Sequence, residues 1–219
     1  MKISALTAGL ALAASLGVSS VQAQALPIVG GITGVTLTSA PTLTGAGVSV
    51  GILGSAQFSP GSTGTPLVFF PVTGGSLNTA TFAGSIEHDG SGLSLSSGGT
   101  TLNLTDFVID TVALTLTGQA SVGTTALGAV PLFNLSFGSN PLSPFNLALT
   151  SAGAGALTAL FGLPDLTGLQ IGTAATIPVT AVPEPATYAT LLAGLALVGW
   201  LTARRRKQAE AQPLSAAAV

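Results

Sequence analysis

The sequence predicts a mainly β domain, an antiparallel sandwich or barrel with one short helix, between two apolar terminal helices. Three observations predict it: repeated period-two alternation, turn residues between the alternating runs, and an uncharged apolar segment near each end. Apolar residues alternate with Ser, Thr or Asn from Ile28 to about Val179, which is typical of half-buried strands. The clearest runs are residues 93–96, 102–105, 112–117, 133–137 and 145–149.

Glycine, proline and Asx residues separate these runs and predict turns. The predicted turns lie at Pro60-Gly61, Gly74-Gly75, Asp89-Gly90, Gly98-Gly99 and Ser139-Asn140-Pro141. Many short strands spaced near ten residues apart favour a sandwich or a barrel.

One segment, Ser151 to Phe161, departs from the alternation because its Ala and Leu residues fall at helical spacing. Ser151 is a candidate N-cap, and Gly162 and Pro164 are stop signals. We expect a short helix that covers an open end of the sandwich.

Charge is scarce and unevenly placed. Charged residues make up 5% of the chain, against about 25% in an ordinary globular protein. Every basic residue lies near an end of the chain, and acids alone occur between them. The basic residues are Lys2, Arg204, Arg205, Arg206 and Lys207. A body without Lys or Arg cannot neutralise phosphates, which excludes nucleic-acid binding and a basic lipid-binding patch.

The chain has no cysteine, which excludes a disulfide scaffold and a thiolate nucleophile.

The first residues have the pattern of a cleavable signal peptide, residues 1–25. Lys2 supplies the positive n-region, and residues 3–18 form an apolar h-region. Small residues then offer two cleavage sites for signal peptidase, after Ala23 or after Ala25. The alternative is an uncleaved anchor helix, which the short and interrupted apolar run disfavours.

Near the C-terminus, residues 186–203 form an uncharged apolar segment. At about 1.5 Å per residue it would span roughly 27 Å, close to the thickness of a bilayer's hydrocarbon layer. Tyr188 and Trp200 suit the two interfaces, and the basic cluster from Arg204 to Lys207 would stop transfer on the cytoplasmic side. The sequence thus predicts a transmembrane helix; the alternative is an apolar helix of the domain core.

Pro183, Glu184 and Pro185, then the apolar span, then the Arg cluster resemble the PEP-CTERM sorting domain. The resemblance covers residues 182–207. It implies recognition of Pro183-Glu184-Pro185 by an exosortase of an exopolysaccharide-producing Gram-negative bacterium, then release to the cell surface or matrix. Residues 208–219 continue beyond the family pattern, and we interpret them as a short disordered tail.

Residues 75–177 resemble the HtaA-type domain, first known from haem-uptake proteins. The resemblance implies an immunoglobulin-like β-sandwich with a small helix near its end. It also implies haem binding by a Tyr ligand supported by a His. The only Tyr here, Tyr188, lies in the apolar segment, so His88 would stand alone in the body. The sequence therefore predicts that the protein binds no cofactor.

Two groups of residues are candidate sites. His88 lies within Glu87-His88-Asp89-Gly90; neighbouring strand residues face opposite ways, so a polar hairpin turn is favoured over a metal or base. Asp106 and Asp110 would lie about 13 Å apart on a straight strand, at about 3.3 Å per residue. Glycosidase carboxylates need roughly 5 to 9.5 Å, so solvated strand ends are favoured. The sequence predicts no catalytic, cofactor or metal site and no enzyme.

The predicted organisation is a signal peptide over 1–25, an extracytoplasmic domain over 26–181, a sorting and anchor segment over 182–207 and a tail over 208–219. The predicted function is that of an exported surface or matrix protein with a structural or interaction role. Expected partners are signal peptidase, exosortase, the membrane through the C-terminal helix, and exopolysaccharide or further copies of the chain. The alternative is an HtaA-type module that binds a haem-like ligand or polysaccharide.

Overall fold

The computed structural model describes residues 25–61, 65–181 and 186–210. Nearly all of the predicted signal peptide, the Pro183-Glu184-Pro185 motif and the end of the tail lie outside these residues. Three helices are present in the described residues: α1 (Ala40–Gly45), α2 (Ser151–Phe161) and α3 (Ala186–Glu210). The eleven strands in the same residues are β1 (Ala25–Thr36), β2 (Ser49–Gly54), β3 (Gln57–Ser59), β4 (Leu67–Pro71), β5 (Gly74–Asn78), β6 (Gly84–Ser97), β7 (Thr100–Asp110), β8 (Thr115–Val122), β9 (Thr125–Phe137), β10 (Phe145–Leu149) and β11 (Gln170–Thr180).

All strands belong to one antiparallel sheet. Its order is β11-β10-β9-β8-β7-β6-β5-β1-β4-β3, with β2 on β6, and β1 also pairs with β11. That last pairing makes the sheet close on itself. The predicted mainly β, antiparallel architecture is confirmed. The finer prediction of an immunoglobulin-like sandwich of two sheets differs from the observed hydrogen bonding, which joins all the strands.

Strand β1 makes this closure possible because it pairs along both edges, with a shift in register between Ile28 and Gly30. One of its edges pairs with β11, while the other pairs first with β5, over residues 25–27, and then with β4, over residues 32–36. Gly31 has φ +133°, and a Cβ there would lie 2.3 Å from the Ile177 carbonyl oxygen. Only glycine allows that approach.

The buried apolar side chains form a single cluster that runs from Ile28 to Ala174. They come from the inward positions of the alternating strands, as period-two patterning requires. Leu147 on β10 and Ile86 on β6 are among the most deeply buried. The core therefore lies inside the closed sheet.

Helix α2 has the predicted bounds, Ser151–Phe161, and ends at Gly162 in the left-handed conformation. Its N-cap is Thr150 and not Ser151: the Thr150 hydroxyl oxygen accepts a hydrogen bond from the Gly153 N–H at 3.0 Å. Thr150 also donates to the Pro131 carbonyl oxygen, which ties the start of the helix to β9.

Of the five predicted turns, two are confirmed and two are wrong, while Pro60-Gly61 lies in the connection between β3 and β4. Ser139-Asn140-Pro141 lies in the turn between β9 and β10, where the Ser143 N–H donates to the Asn140 carbonyl oxygen at 3.1 Å. Gly98-Gly99 forms the two-residue turn between β6 and β7, where Ser97 pairs with Thr100 and both glycines have positive φ. Gly74-Gly75 instead opens strand β5. Asp89-Gly90 lies within β6, in a bulge between His88 and Gly92.

Helix α3 covers the predicted membrane segment, residues 186–203, and continues to Glu210. Among the described residues, no helix is both long and apolar enough to cross a membrane. The structure therefore does not confirm the predicted transmembrane helix.

Candidate functional site

The interior of the closed sheet contains a cavity of about 110 Å³. Its lining is apolar except for two side chains, Thr33 of β1 and His88 of β6. The other lining side chains include Leu104, Ile109, Leu116, Leu132, Leu147 and Leu157. Sequence reasoning missed this cavity because its walls come from strands that are distant in the chain.

His88 lies at the polar end of this lining and is 1% exposed. Its Nδ1 atom is 3.1 Å from the Phe107 carbonyl oxygen, and its Nε2 atom is 2.7 Å from Oγ1 of Thr33. A carbonyl oxygen can only accept, so Nδ1 carries a proton. Burial is the main cause that lowers the pKa of His88, against smaller opposing effects of the Phe107 bond and the Asp89 charge. The ring is therefore neutral at pH 7.

A second threonine, on the neighbouring strand, also contacts Thr33. Oγ1 of Thr33 is also 2.9 Å from Oγ1 of Thr176 on β11. No described buried side-chain nitrogen or oxygen atom lacks a hydrogen-bond partner. His88 and Thr33 thus satisfy each other and offer no free polar group to a ligand.

A bulge next to His88 sets its orientation. Three residues of β6, from Asp89 to Ser91, stand opposite Asp106 of β7. Asp106 has φ +52°, a strained conformation for a residue with a side chain. Its Oδ1 accepts a hydrogen bond from the Gly90 N–H at 2.8 Å. Across the bulge the inward-facing positions of β6 change from even to odd numbers, so both His88 and Leu95 face the interior.

The structure does not bring the candidate site residues together in an arrangement that could catalyse a reaction. Glu87 and His88 face opposite sides of β6, as predicted, and only His88 is buried. Asp110 binds the N–H groups of Val112 and Ala113, both at 2.8 Å, in the turn after β7, while Asp106 serves the bulge. Among the described residues, no three His, Cys, Asp or Glu side chains cluster closely enough to hold a metal ion.

Haem does not fit the residues around His88. The sole tyrosine of the chain lies outside the β body, at Tyr188. Both ring nitrogens of His88 are already hydrogen-bonded inside the protein, to Thr33 and Phe107. The cavity is also well below the roughly 300–1,000 Å³ of pockets for drug-sized ligands.

The predicted sorting residues fall at the edges of the described chain. Ala23 and Pro183-Glu184-Pro185 lie outside it, whereas Ala25 is the first residue of β1 and pairs with Asn78. The basic cluster lies in helix α3, where the guanidinium carbon of Arg204 is 4.3 Å from the centre of the Trp200 ring. The two side chains stack one helical turn apart at the end of the apolar segment.

Comparison with known proteins gives one motif and one fold. Residues 181–207 match the PEP-CTERM protein-sorting motif. No curated protein matches the chain. The crystal structure of the C-terminal domain of HtaA from Corynebacterium glutamicum is similar, with a TM-score of 0.52 and 14% sequence identity. The similarity covers 71% of this chain and 99% of that one. The likeness is one of fold, and the C-terminal segment of the chain is a PEP-CTERM protein-sorting motif.

Proposed function

We propose that the protein is exported, held in the inner membrane as a precursor, and then processed by an exosortase that places its β body at the cell surface or in the matrix. The observation that carries this proposal is the sorting motif at residues 181–207. Such a motif implies an exported, membrane-anchored precursor. The uncharged span 186–203 would serve as the anchor, and the cluster Arg204 to Lys207 would hold its end in the cytoplasm.

The boundary between body and motif supports this order of events. The last body strand, β11, ends at Thr180, and the Ala181 N–H donates to the Pro27 carbonyl oxygen at 2.8 Å. The motif begins at that point. Cleavage within Pro183-Glu184-Pro185 would therefore release all eleven described strands together, with the closing β1–β11 pairing intact.

The start of the body fits removal of a signal peptide. Strand β1 begins at Ala25, at the end of the predicted signal peptide, residues 1–25. Cleavage after Ala23 would leave β1 complete, whereas cleavage after Ala25 would remove its first paired residue. We infer that signal peptidase cuts after Ala23 and that the mature protein begins at Gln24.

At the surface, the body would act through contacts and not through catalysis. Its outer face exposes apolar side chains where β1 and β11 pair: Ile32 stands opposite Ile177, and Val179 follows on the same strand. Exposed apolar patches are typical of interaction surfaces. This supports self-association of the body, or contact with matrix components. Sedimentation of the wild type and of Ile177→Ser at several concentrations tests it, and equal behaviour of the two would contradict self-association.

The alternative, an HtaA-type module for a haem-like ligand, has a direct test. Titration of the protein with haemin, followed by absorbance, should give no saturable Soret shift because the body has no tyrosine and His88 is occupied. A stoichiometric shift would favour the alternative.

The sorting proposal is tested by replacing Pro183, Glu184 and Pro185 with alanine in the producing cells. We expect the variant to accumulate in the inner-membrane fraction while the wild type reaches the surface. The matched control is Glu210→Gln, which changes a glutamate outside the motif and should leave sorting unchanged. Unaltered surface display of the alanine variant would overturn the proposal.

A further inference from the structure

The interior cavity is a feature that export and sorting do not explain. Close packing leaves few voids larger than a water molecule in protein interiors, yet this one has about 110 Å³. An apolar void without free polar groups stays dry. The lining meets that condition, because Thr33 and His88 bind each other at 2.7 Å.

We propose that this cavity binds a small, uncharged, apolar molecule with the dimensions of a short alkyl chain, which enters beside Leu127.

The size of the ligand follows from the volume. An engineered apolar cavity of about 150 Å³ binds benzene. A cavity of about 110 Å³ therefore takes a short aliphatic chain and excludes a porphyrin or a sugar ring with its hydroxyl groups. Binding would restore the dispersion contacts that the lining side chains lack around a void.

The absence of charge on the ligand follows from the absence of charge around the cavity. No Lys or Arg occurs between Lys2 and Arg204, so a carboxylate or phosphate would find no cation in the body. None of the lining side chains is acidic, so an ammonium group would find no anion. Transfer of an unpaired charge into such a site is strongly unfavourable.

The position of the entrance follows from a second bulge. In the β8–β9 pairing, Ala126 stands opposite Ser121 and Gly128 opposite Ala120, so Leu127 has no partner. Its side chain lines the cavity and is also 51% exposed. Leu127 thus connects the apolar interior with the solvent.

The test is methyl NMR of the protein, with its C-terminal segment, reconstituted in lipid nanodiscs and titrated with 1-hexanol. We expect saturable shifts of the Ile109 and Leu147 methyl signals, which report the cavity, and none of Ile177 and Val179, which are exposed. Hexanoate and hexylammonium at the same free concentrations should shift none of these signals. Equal shifts of exposed and cavity methyls, or binding of the charged analogues as tight as that of hexanol, would overturn the proposal.

Two variants of α2 form a matched pair for the same titration. Ala156 lines the cavity, whereas Ala152 lies on the same helix and is exposed. Ala156→Leu should weaken hexanol binding at least about tenfold, and Ala152→Leu should leave it unchanged. If Ala156→Leu does not fold, Ala120→Leu fills the cavity from the wall formed by β8, with exposed Ala129→Leu as its control. Wild-type affinity in a folded cavity-filling variant would contradict the proposal.

Discussion

The Nε2 atom of His88 lies 2.7 Å from the hydroxyl oxygen of Thr33, although 55 residues separate the two in the chain. The pair joins β6 to β1 across the interior of the closed sheet. Both partners are buried, and the Thr33 side chain is 3% exposed. A buried polar contact of this kind stabilises one register of two distant strands. It does so only while both partners are present, because either group alone would be buried without its hydrogen bond.

Thr33→Val removes the hydroxyl that contacts Nε2 with little change in shape. We expect it to lower the free energy of unfolding by about 1–3 kcal/mol, because a buried ring nitrogen loses its hydrogen bond. Thr36→Val on the same strand is the control and should change stability by less than about 0.5 kcal/mol. Urea unfolding followed by circular dichroism measures both, and equal effects would contradict a special role for the Thr33–His88 pair.

Acidification should destabilise the protein through His88. Burial lowers the pKa of His88 in the folded state below the ordinary 6.5, so the unfolded state binds a proton first as the pH falls. Stability is therefore fully present above about pH 6.5 and declines below it, by at most about 1.4 kcal/mol per pH unit.

The pH effect can be assigned because the chain has a single histidine. The thermal midpoint of the wild type should fall between pH 7.5 and pH 5, while that of His88→Gln should change less. NMR of the ring carbons offers a second measurement, in which the pKa of His88 in the folded protein should lie below the ordinary 6.5. A pKa of the folded ring at or above 6.5 would refute this explanation.

The bulge at Asp106 predicts a residue-specific response. Asp106→Ala loses the hydrogen bonds to the Gly90 N–H and the Thr105 hydroxyl and keeps a positive φ. We expect a loss of about 1–3 kcal/mol. Asp106→Asn should retain most of the stability, since asparagine tolerates this conformation and still accepts the bond. Denaturant midpoints of the two variants measure the difference. Equal losses in both variants would contradict the stabilising role of the Asp106 hydrogen bonds in the bulge.

Two glycines near α2 should respond in opposite directions to alanine. A Cβ at either Gly155 or Gly162 would meet no atom within 4 Å, so sterics alone predict no difference. Gly162 ends the helix at φ +68°, where alanine should cost about 1 kcal/mol. Gly155 is exposed within the helix, where alanine should stabilise by about 0.5–1 kcal/mol. Thermal unfolding of both variants tests whether Gly162 ends the helix in the left-handed conformation. Shifts of the thermal midpoint with the same sign in both variants would contradict that role.

The local parts of the fold were predictable from the sequence. Helix α2 follows from its Ala and Leu spacing and from Gly162, and the Gly98-Gly99 turn follows from its glycines. The bulge was also encoded, since the inward positions change from even to odd between His88 and Leu95. That change can signal a turn or a bulge, and Asp89-Gly90 favoured the turn. Only the pairing of β6 with β7 on both sides of the change distinguishes them.

The cavity and the closure of the sheet could not be predicted in the same way. Closure depends on β1 and β11, which lie at opposite ends of the body. Thr33 reads in the sequence as an ordinary polar strand residue, and no local pattern connects it to His88. The sorting motif needed no tertiary structure, because Pro183-Glu184-Pro185, an apolar span and an Arg cluster are linear features.

The intact mass of the protein recovered from the producing cells tests the account most directly. In cells with the exosortase, the surface-exposed form should lack the apolar span and the basic cluster, with a new C-terminus within residues 183–185. In cells from which the exosortase gene has been deleted, the protein should keep residues 186–207 and remain in the inner membrane. An identical mass in both cells, with the C-terminal segment still present at the surface, would contradict exosortase processing.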